Sequence, residues 1–527
     1  MSKAQIIVIG SGPAGVSAAW PLVEAGIRVL MIDAGFSALS PPSIDRPDLM
    51  SMRKGDKNSW RDLLKSDLSG LRNASGTSPK LRCAADANFL QNYEELNRLE
   101  TNNYSTFGAL AVGGLSNVWG AAVPAFDNTD LEGFPFQAEE LSESYSSVAK
   151  RIGISGEPND EAVQGFKVLM QPGIPLAGFS SAFHKRYQEN QGRVDFKMTR
   201  SRLAVLSQKL GDREACIEDG ACMWGCTNGA VYNSAFDVEK LKKRPDFKLI
   251  SGHLAESLER NNDGEYTLNV RDRKSSKVST YTANTIVLAA GTLPSTRLVL
   301  ALQKRFEEDI PFLTSPGLAS VFCMPGMLGS PLPEKMLGLS QLSFRIGVDD
   351  FARNDAFGLL FDAAAMPAPD LISHMPFTLP AGIKLLRALL PALSIALVYL
   401  PGEYGRCRVK LSRDDEDAQS KLKITGGYAT DIGTITDKLE KKLAQEFRHL
   451  GAFRLPGATQ LYQPGAANHH AGTLPMGSET NSFGEVVGFP GLYVVDGSVL
   501  SRLPAKNLTF TIMANADRIG RHVAKKC

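Results

Sequence analysis

At 527 residues and 56.9 kDa the chain exceeds what one hydrophobic core readily serves, so two domains are expected. Apolar residues make up 43% and charged residues 22%, which is globular usage and excludes a disordered or fibrous chain. The 58 basic and 56 acidic side chains leave a net charge of +2 with no long like-charge block, which argues against a nucleic-acid or polyanionic partner.

In chain order, Gln5 to Ile9 is an apolar run suited to a buried strand, and it follows Met1 without a secretory leader pattern. Pro13 to Ala25 reads as a small-residue helix, with Pro21 expected to kink it, and Arg28 to Ile32 as a second strand. From 36 to 104 the chain is polar and aperiodic, an excursion or lid leaving the sheet. Regular pattern returns at Thr106 to Trp119, and Ala138 to Ile152 is helical. Phe247 to Leu258, Glu265 to Arg273 and Thr285 to Ala290 read as strands. Alternating runs between Gly317 and Leu411, such as Leu342 to Val348 and Gly405 to Leu411, predict an antiparallel sheet. Leu492 to Val495 closes as strand and Phe510 to Ala524 as helix.

The most apolar stretch, Ile383 to Leu400, is interrupted by Lys384, Arg387 and Pro391, so no transmembrane segment is expected. The wider stretch from Leu371 is read as a wall of a substrate pocket, with a membrane-touching amphipathic surface as the alternative. Seven cysteines, an odd count without a leader, do not suggest a disulfide framework. Cytoplasmic location is the expectation that follows.

Gly10-Ser11-Gly12-Pro13-Ala14-Gly15 sits between strand and helix, the context a dinucleotide fingerprint requires. Gly10 permits the tight turn, Gly12 lets backbone approach a pyrophosphate, and Gly15 allows close helix–strand packing. The helix N-terminus then offers free N–H groups to phosphate. Asp33 ends the second strand, 18 residues after Gly15, where its carboxylate can accept from a ribose hydroxyl. This motif alone does not separate FAD from NAD.

Other segments do. Gly113-Gly114-Leu115-Ser116-Asn117-Val118-Trp119-Gly120, Ala289-Ala290-Gly291-Thr292-Leu293-Pro294-Ser295 and His469-His470-Ala471-Gly472-Thr473 occur in that order. They are followed by Gly491 to Ser498, with Asp496-Gly497, and by Asn507 to Ala514. Together these motifs resemble the glucose–methanol–choline (GMC) oxidoreductases, nearest the pyranose oxidase and bacterial FAD sugar dehydrogenase branch. The region from 316 to 450 carries no such resemblance.

The resemblance implies an α/β fold with a Rossmann-like FAD-binding domain and a second, α+β domain built on an antiparallel sheet. It divides the chain into 1–135, 190–315 and 455–527 for FAD and 136–189 and 316–454 for substrate. Gly113, Gly114, Ser116 and Asn117, with Ala290 and Gly291, are implied at the flavin and its phosphates. Asp496 and Gly497 are implied at the phosphate or ribityl chain, and Thr509 near the isoalloxazine. Val118 stands where a histidine forms a covalent flavin link in part of the branch, so non-covalent FAD is expected. Leu508 replaces the proline usual after Asn507.

The resemblance also implies a catalytic pair. Histidine in His-x-x-Gly-Thr is His469, and the His or Asn eleven residues after Asp496 is Asn507. Imidazole takes and releases protons near neutrality, whereas an amide orients the substrate oxygen or stabilises a developing alkoxide. His470 is the adjacent rival base.

Cys216-x5-Cys222-x3-Cys226 is similar to a three-cysteine iron–sulfur segment, which implies a [3Fe-4S] cluster. Buried thiols in a turn are the alternative. The expected activity is oxidation of an alcohol or sugar CH–OH by hydride transfer to FAD, with electrons passed to a carrier protein or quinone. The alternatives are an oxidase releasing peroxide and a flavoprotein without alcohol chemistry.

Overall fold

The computed structural model describes residues 6–38, 48–55, 87–90, 92–348, 355–367, 371, 378–413 and 420–527. The polar excursion predicted over 36–104 lies largely outside the described residues.

Ile6–Ile9 is flanked by Val29–Ile32 and Thr285–Leu288, and every residue of the first two strands is buried. Burial on both faces explains why these strands are apolar runs and do not alternate. Phe247–Ile250 and Leu492–Val494 extend the sheet, giving the order Leu492–Val494, Thr285–Leu288, Ile6–Ile9, Val29–Ile32, Phe247–Ile250. All neighbours are parallel. The order reverses between Ile6–Ile9 and Thr285–Leu288, which leaves a crevice at their carboxyl ends. Gly10, Asp33, Ala289 and Val495 are the next residues at four of those ends.

Helix Pro13–Glu24 crosses from the first strand to the second without a break at Pro21. Pro21 lies near the helix C-terminus, so few hydrogen bonds are disturbed, and its ring fits against Gly520 of the C-terminal helix Thr509–Lys526. A Cβ at Gly520 would come within 2.4 Å of the Ala18 carbonyl oxygen. That close approach brings the two ends of the chain together.

Six antiparallel strands form the second layer, in the order Phe453–Leu461, Gly317–Cys323, Leu393–Tyr399, Asp355–Asp362, Leu342–Gly347, Lys197–Arg200. One face packs on helices Gly178–Asn190 and Ile432–His449 through Phe183, Phe322, Phe344 and Phe447. The opposite face turns Phe357, Leu359 and Tyr399 into the core shared with the parallel sheet.

A mixed sheet joins His470–Ala471, Ile310–Thr314, Cys407–Arg413, Ser420–Thr425 and Leu99–Asn102. The alternating run near 405–411 therefore belongs to a separate sheet from Leu342–Gly347. The stretch 106–119 is corrected: it holds only a short 3-10 turn, Gly114–Asn117. Its glycines and small residues serve a loop, with a positive φ of 96° at Gly113. Within 371–400 the described part is helix Leu379–Leu389 followed by strand Leu393–Tyr399. No helix among the described residues is long and apolar enough to cross a membrane.

Candidate active site and flavin cradle

The glycine turn is held from below. At Gly10, φ is +102° and a Cβ would lie 2.2 Å from the Ala289 carbonyl oxygen, so only glycine passes there. Gly12 differs, because a Cβ built on it meets nothing within 4 Å. The helix starting at Pro13 has no side-chain cap, so its N-terminal amides open onto that space.

Asp33 holds the turn from the other side. Its Oδ2 accepts from Ser11 N and Oγ at 2.7 Å each, and Oδ1 accepts from Gly35 N at 2.7 Å. Burial pushes its carboxyl pKa up, and these hydrogen bonds oppose the rise. The carboxylate thus works on the turn itself, with lone pairs left for a ribose hydroxyl.

Gly113 N donates to Ser11 Oγ at 2.9 Å, which ties the second glycine loop to the first. Ser116 and Asn117 turn inward. Ser116 Oγ donates to Gly113 O at 2.6 Å, and Asn117 Nδ2 donates to Val112 O and Gly114 O at 3.0 and 2.7 Å. Asn233 and Ser234 complete the scaffold: Asn233 Nδ2 donates to Asn117 Oδ1 at 2.7 Å, and Ser234 Oγ reaches Ser11 O and Gly113 O at 3.0 Å. Sequence reasoning missed both, although Asn-Ser before an apolar run is a helix-start signal; Asn233 caps Ser234–Leu241. A cavity of about 730 Å³ opens beside this loop, lined by Phe36, Ser116, Asn117, Trp224, Asn233 and Phe236.

Asp496 joins two distant segments. Its Oδ2 accepts from Gly291 N at 3.1 Å and Ser295 Oγ at 2.5 Å, while Oδ1 accepts from Ser498 N and Oγ at 3.1 and 2.5 Å. Ala290 N donates to Ser295 Oγ at 3.2 Å. Gly497 packs against Thr292, where a Cβ would lie 2.7 Å from the Thr292 hydroxyl. Thr509 begins the C-terminal helix two residues beyond Asn507.

The predicted pair meets. Asn507 Nδ2 lies 3.1 Å from His469 Nε2, so an amide N–H donating there finds the ring nitrogen unprotonated. His469 is 8% exposed, and its carbonyl is pinned by Ser315 N at 3.0 Å and Thr314 Oγ1 at 3.1 Å. Burial first, then neighbouring His470, lowers the His469 pKa to about 3. His470 follows on the strand His470–Ala471 and sets its ring near Tyr104, at 6.4 Å between centroids. Burial lowers its pKa to about 4. Asn507 thus bonds to His469, and the rival ring faces a different neighbour.

Two further neighbours were invisible in the sequence. The Tyr399 ring packs on His469 with centroids 4.6 Å apart. Lys506, only 3% exposed, donates to Asp127 Oδ2 at 2.8 Å and Asp130 Oδ2 at 2.6 Å.

The cysteine expectation is corrected. Among the described residues no three His, Cys, Asp or Glu side chains gather so that they could hold a metal ion, and Cys216, Cys222 and Cys226 form no disulfide with one another. Cys216 Sγ accepts from Glu218 N and Cys226 Sγ donates to Asn228 Oδ1, bonds that serve the turn locally. Burial pushes the Cys216 thiol up to about 12.

The donor set fits FAD. His469 Nδ1, His470 Nδ1, Asn507 Oδ1 and Thr106 Oγ1 are buried polar atoms without a hydrogen-bond partner among the described residues, and open space fronts Gly12. Buried polar groups ordinarily find partners, so a polar ring bearing carbonyls and ring nitrogens suits them.

Comparison with known proteins agrees. A family model described as GMC oxidoreductase matches residues 404–516, and one described as FAD binding domain matches 3–42. Paromamine 6'-oxidase of Streptomyces fradiae is 23% identical over 98% of this chain and 91% of its own length. The fructose dehydrogenase large subunit of Gluconobacter japonicus is 24% identical over 56% of this chain and 54% of its own length. The fold is shared with pyridoxine 4-oxidase from Mesorbium loti, at a TM-score of 0.63 and 15% identity over 99% of both chains. Residues 404–516 thus match a GMC oxidoreductase model and residues 3–42 an FAD-binding one, and the strand order and glycine cradle agree with both.

Proposed function

We propose that the protein oxidises a CH–OH group of a sugar or other polar alcohol to the carbonyl, with His469 as base and Asn507 as its hydrogen-bonding partner. The observation that carries this is the 3.1 Å approach of Asn507 Nδ2 to His469 Nε2, next to the unpartnered Asn507 Oδ1 and His469 Nδ1. A substrate hydroxyl that displaces this bond finds the polarity it needs: it accepts from the amide N–H and donates to the ring nitrogen. As the O–H proton moves to Nε2, the amide stabilises the charge growing on oxygen. Bound FAD supplies the two-electron acceptor that takes hydride from the carbinol carbon.

The residues implied to hold it are the backbone of Gly12 to Gly15, with Ala14 and Gly15 as amide donors, Asp33 for ribose, the Gly113–Asn117 loop, and Ala290, Gly291, Asp496, Gly497 and Thr509. Val118 offers no nucleophile, which favours non-covalent FAD. Burial keeps His469 neutral throughout the physiological range, so its ring nitrogen is unprotonated before substrate binds, while the same burial makes the imidazole a weaker base than in water.

Sugar-like substrates are favoured by the printed activities of the relatives, paromamine 6'-oxidase and fructose dehydrogenase. We propose that electrons leave to a carrier or quinone. An oxidase is the second reading, favoured by two Streptomyces oxidases that each match 98% of this chain. Peroxide formed per turnover under air separates the two.

The function itself is tested by anaerobic flavin bleaching with sugars, aminoglycosides and simple alcohols. His469→Ala is expected to keep its FAD and to bleach about 10²–10⁴-fold more slowly. Full bleaching rate in that variant would remove the proposal.

A further inference from the structure

Tyr399 is the last residue of Leu393–Tyr399, held in register by Gly317 on one side and Phe357 on the other. It therefore comes from the antiparallel layer, whereas His469 and Asn507 come from segments next to the flavin cradle. Its ring lies 4.6 Å from the His469 ring, tilted by 45°. Its hydroxyl meets the Asn507 amide, and Tyr462 stands nearby as a second phenol. The side chain is 6% exposed, so water does not compete freely for these contacts.

We infer that Tyr399 is a positioning residue for the His469–Asn507 pair, its ring setting the imidazole plane and its hydroxyl setting the Asn507 carboxamide. The inference rests on reading that pair as the working site.

The need for such a group follows from the amide itself. A carboxamide can turn over and exchange its oxygen for its nitrogen at little cost in shape. Turned, Asn507 would present an acceptor to His469 Nε2 and hold the ring in the wrong tautomer. Among the described residues Asn507 Oδ1 has no hydrogen-bond partner that would fix its orientation. The phenol oxygen gives the amide N–H a second buried acceptor beside the imidazole nitrogen, so the carboxamide is held at two points where the imidazole alone would hold it at one. Burial first, then Tyr462, holds Tyr399 well above the ordinary phenol pKa, with the Asn507 hydrogen bond opposing, so the group stays a neutral hydroxyl. It therefore orients and does not take the proton. Ring contact on His469 adds the second restraint, since a packed imidazole keeps its χ angles.

The test uses the FAD-loaded enzyme and Tyr399→Phe, which keeps the ring and removes one oxygen. In protein labelled with 15N-asparagine, the Asn507 carboxamide signals are assigned by their loss in Asn507→Asp. Their exchange with water is expected to be at least about tenfold faster in Tyr399→Phe, at unchanged melting temperature and flavin content. Anaerobic flavin reduction by whichever of fructose, paromamine or pyridoxine bleaches the parent best should slow about tenfold, with the half-saturating concentration within about twofold. Tyr399→His, which returns a hydrogen-bonding ring, should recover slow exchange in part.

Unchanged Asn507 exchange in Tyr399→Phe overturns the inference, as does faster exchange accompanied by loss of flavin or of melting temperature. If His469→Ala bleaches at full rate, the functional proposal falls instead, and the exchange measurement still decides Tyr399.

Discussion

Lys506 Nζ sits 2.6 Å from Asp130 Oδ2, one residue before Asn507 in the chain. The same ammonium reaches Asp127, which Arg345 of the antiparallel sheet also approaches at 3.2 Å. The loop carrying Asn507 is thereby tied to the segment 127–130 and to the second layer.

Removing that ammonium leaves the buried Asp130 carboxylate uncompensated, while Asp127 keeps Arg345. Lys506→Met is expected to cost about 3–5 kcal/mol of stability, read from urea unfolding. A cost below about 1 kcal/mol would mean that water screens the cluster.

The glycine turn separates folding from cofactor binding. Gly10→Ala places a methyl on the Ala289 backbone at a φ that L residues rarely adopt, so soluble yield and melting temperature should fall. Gly12→Val meets only open space and should fold normally. It should nevertheless purify colourless, because the side chain fills the approach for the pyrophosphate. Yellow Gly12→Val protein would place the phosphates elsewhere.

Stability should depend on pH through the two histidines. Both have folded pKa values below the ordinary 6.5, at about 3 for His469 and about 4 for His470. Between those values and 6.5 the unfolded chain binds more protons, so stability rises with pH there. The contribution is present above 6.5 and is lost as pH falls. Each histidine adds up to about 1.4 kcal/mol per pH unit. Urea unfolding at pH 4 to 7 should show a shallower slope in His470→Gln than in the parent.

Asn507→Ala removes the amide donor and leaves the base. Flavin bleaching should slow by about 10²–10³-fold with little change in half-saturating concentration, because the lost bond strengthens only as charge develops on oxygen. A change confined to half-saturation would assign Asn507 to ground-state binding.

The adjacent strands, turn and helix of the nucleotide motif were legible from residues alone. A buried strand, Gly10 at a tight turn, a small-residue helix and Asp33 are tied by short-range sterics and hydrogen bonding, so spacing in sequence is spacing in space. The His469–Asn507 pair was legible only through family resemblance, since 38 residues separate the two. Ser116 and Asn117 were placed at the flavin loop, yet their side chains turn inward to hold it, a direction that no one-dimensional pattern encodes.

Sequence by itself determined the parallel sheet, the cradle at its carboxyl ends and the chemistry open to an imidazole beside an amide. Tertiary structure alone decided that Tyr399 packs on His469, that Lys506 is anchored by Asp127 and Asp130, and that Cys216 and Cys226 bond within their own turn. These are contacts between segments that fold from different layers. Their partners are chosen by how the layers stack, and a buried tyrosine or lysine carries no periodic signal of whom it will meet.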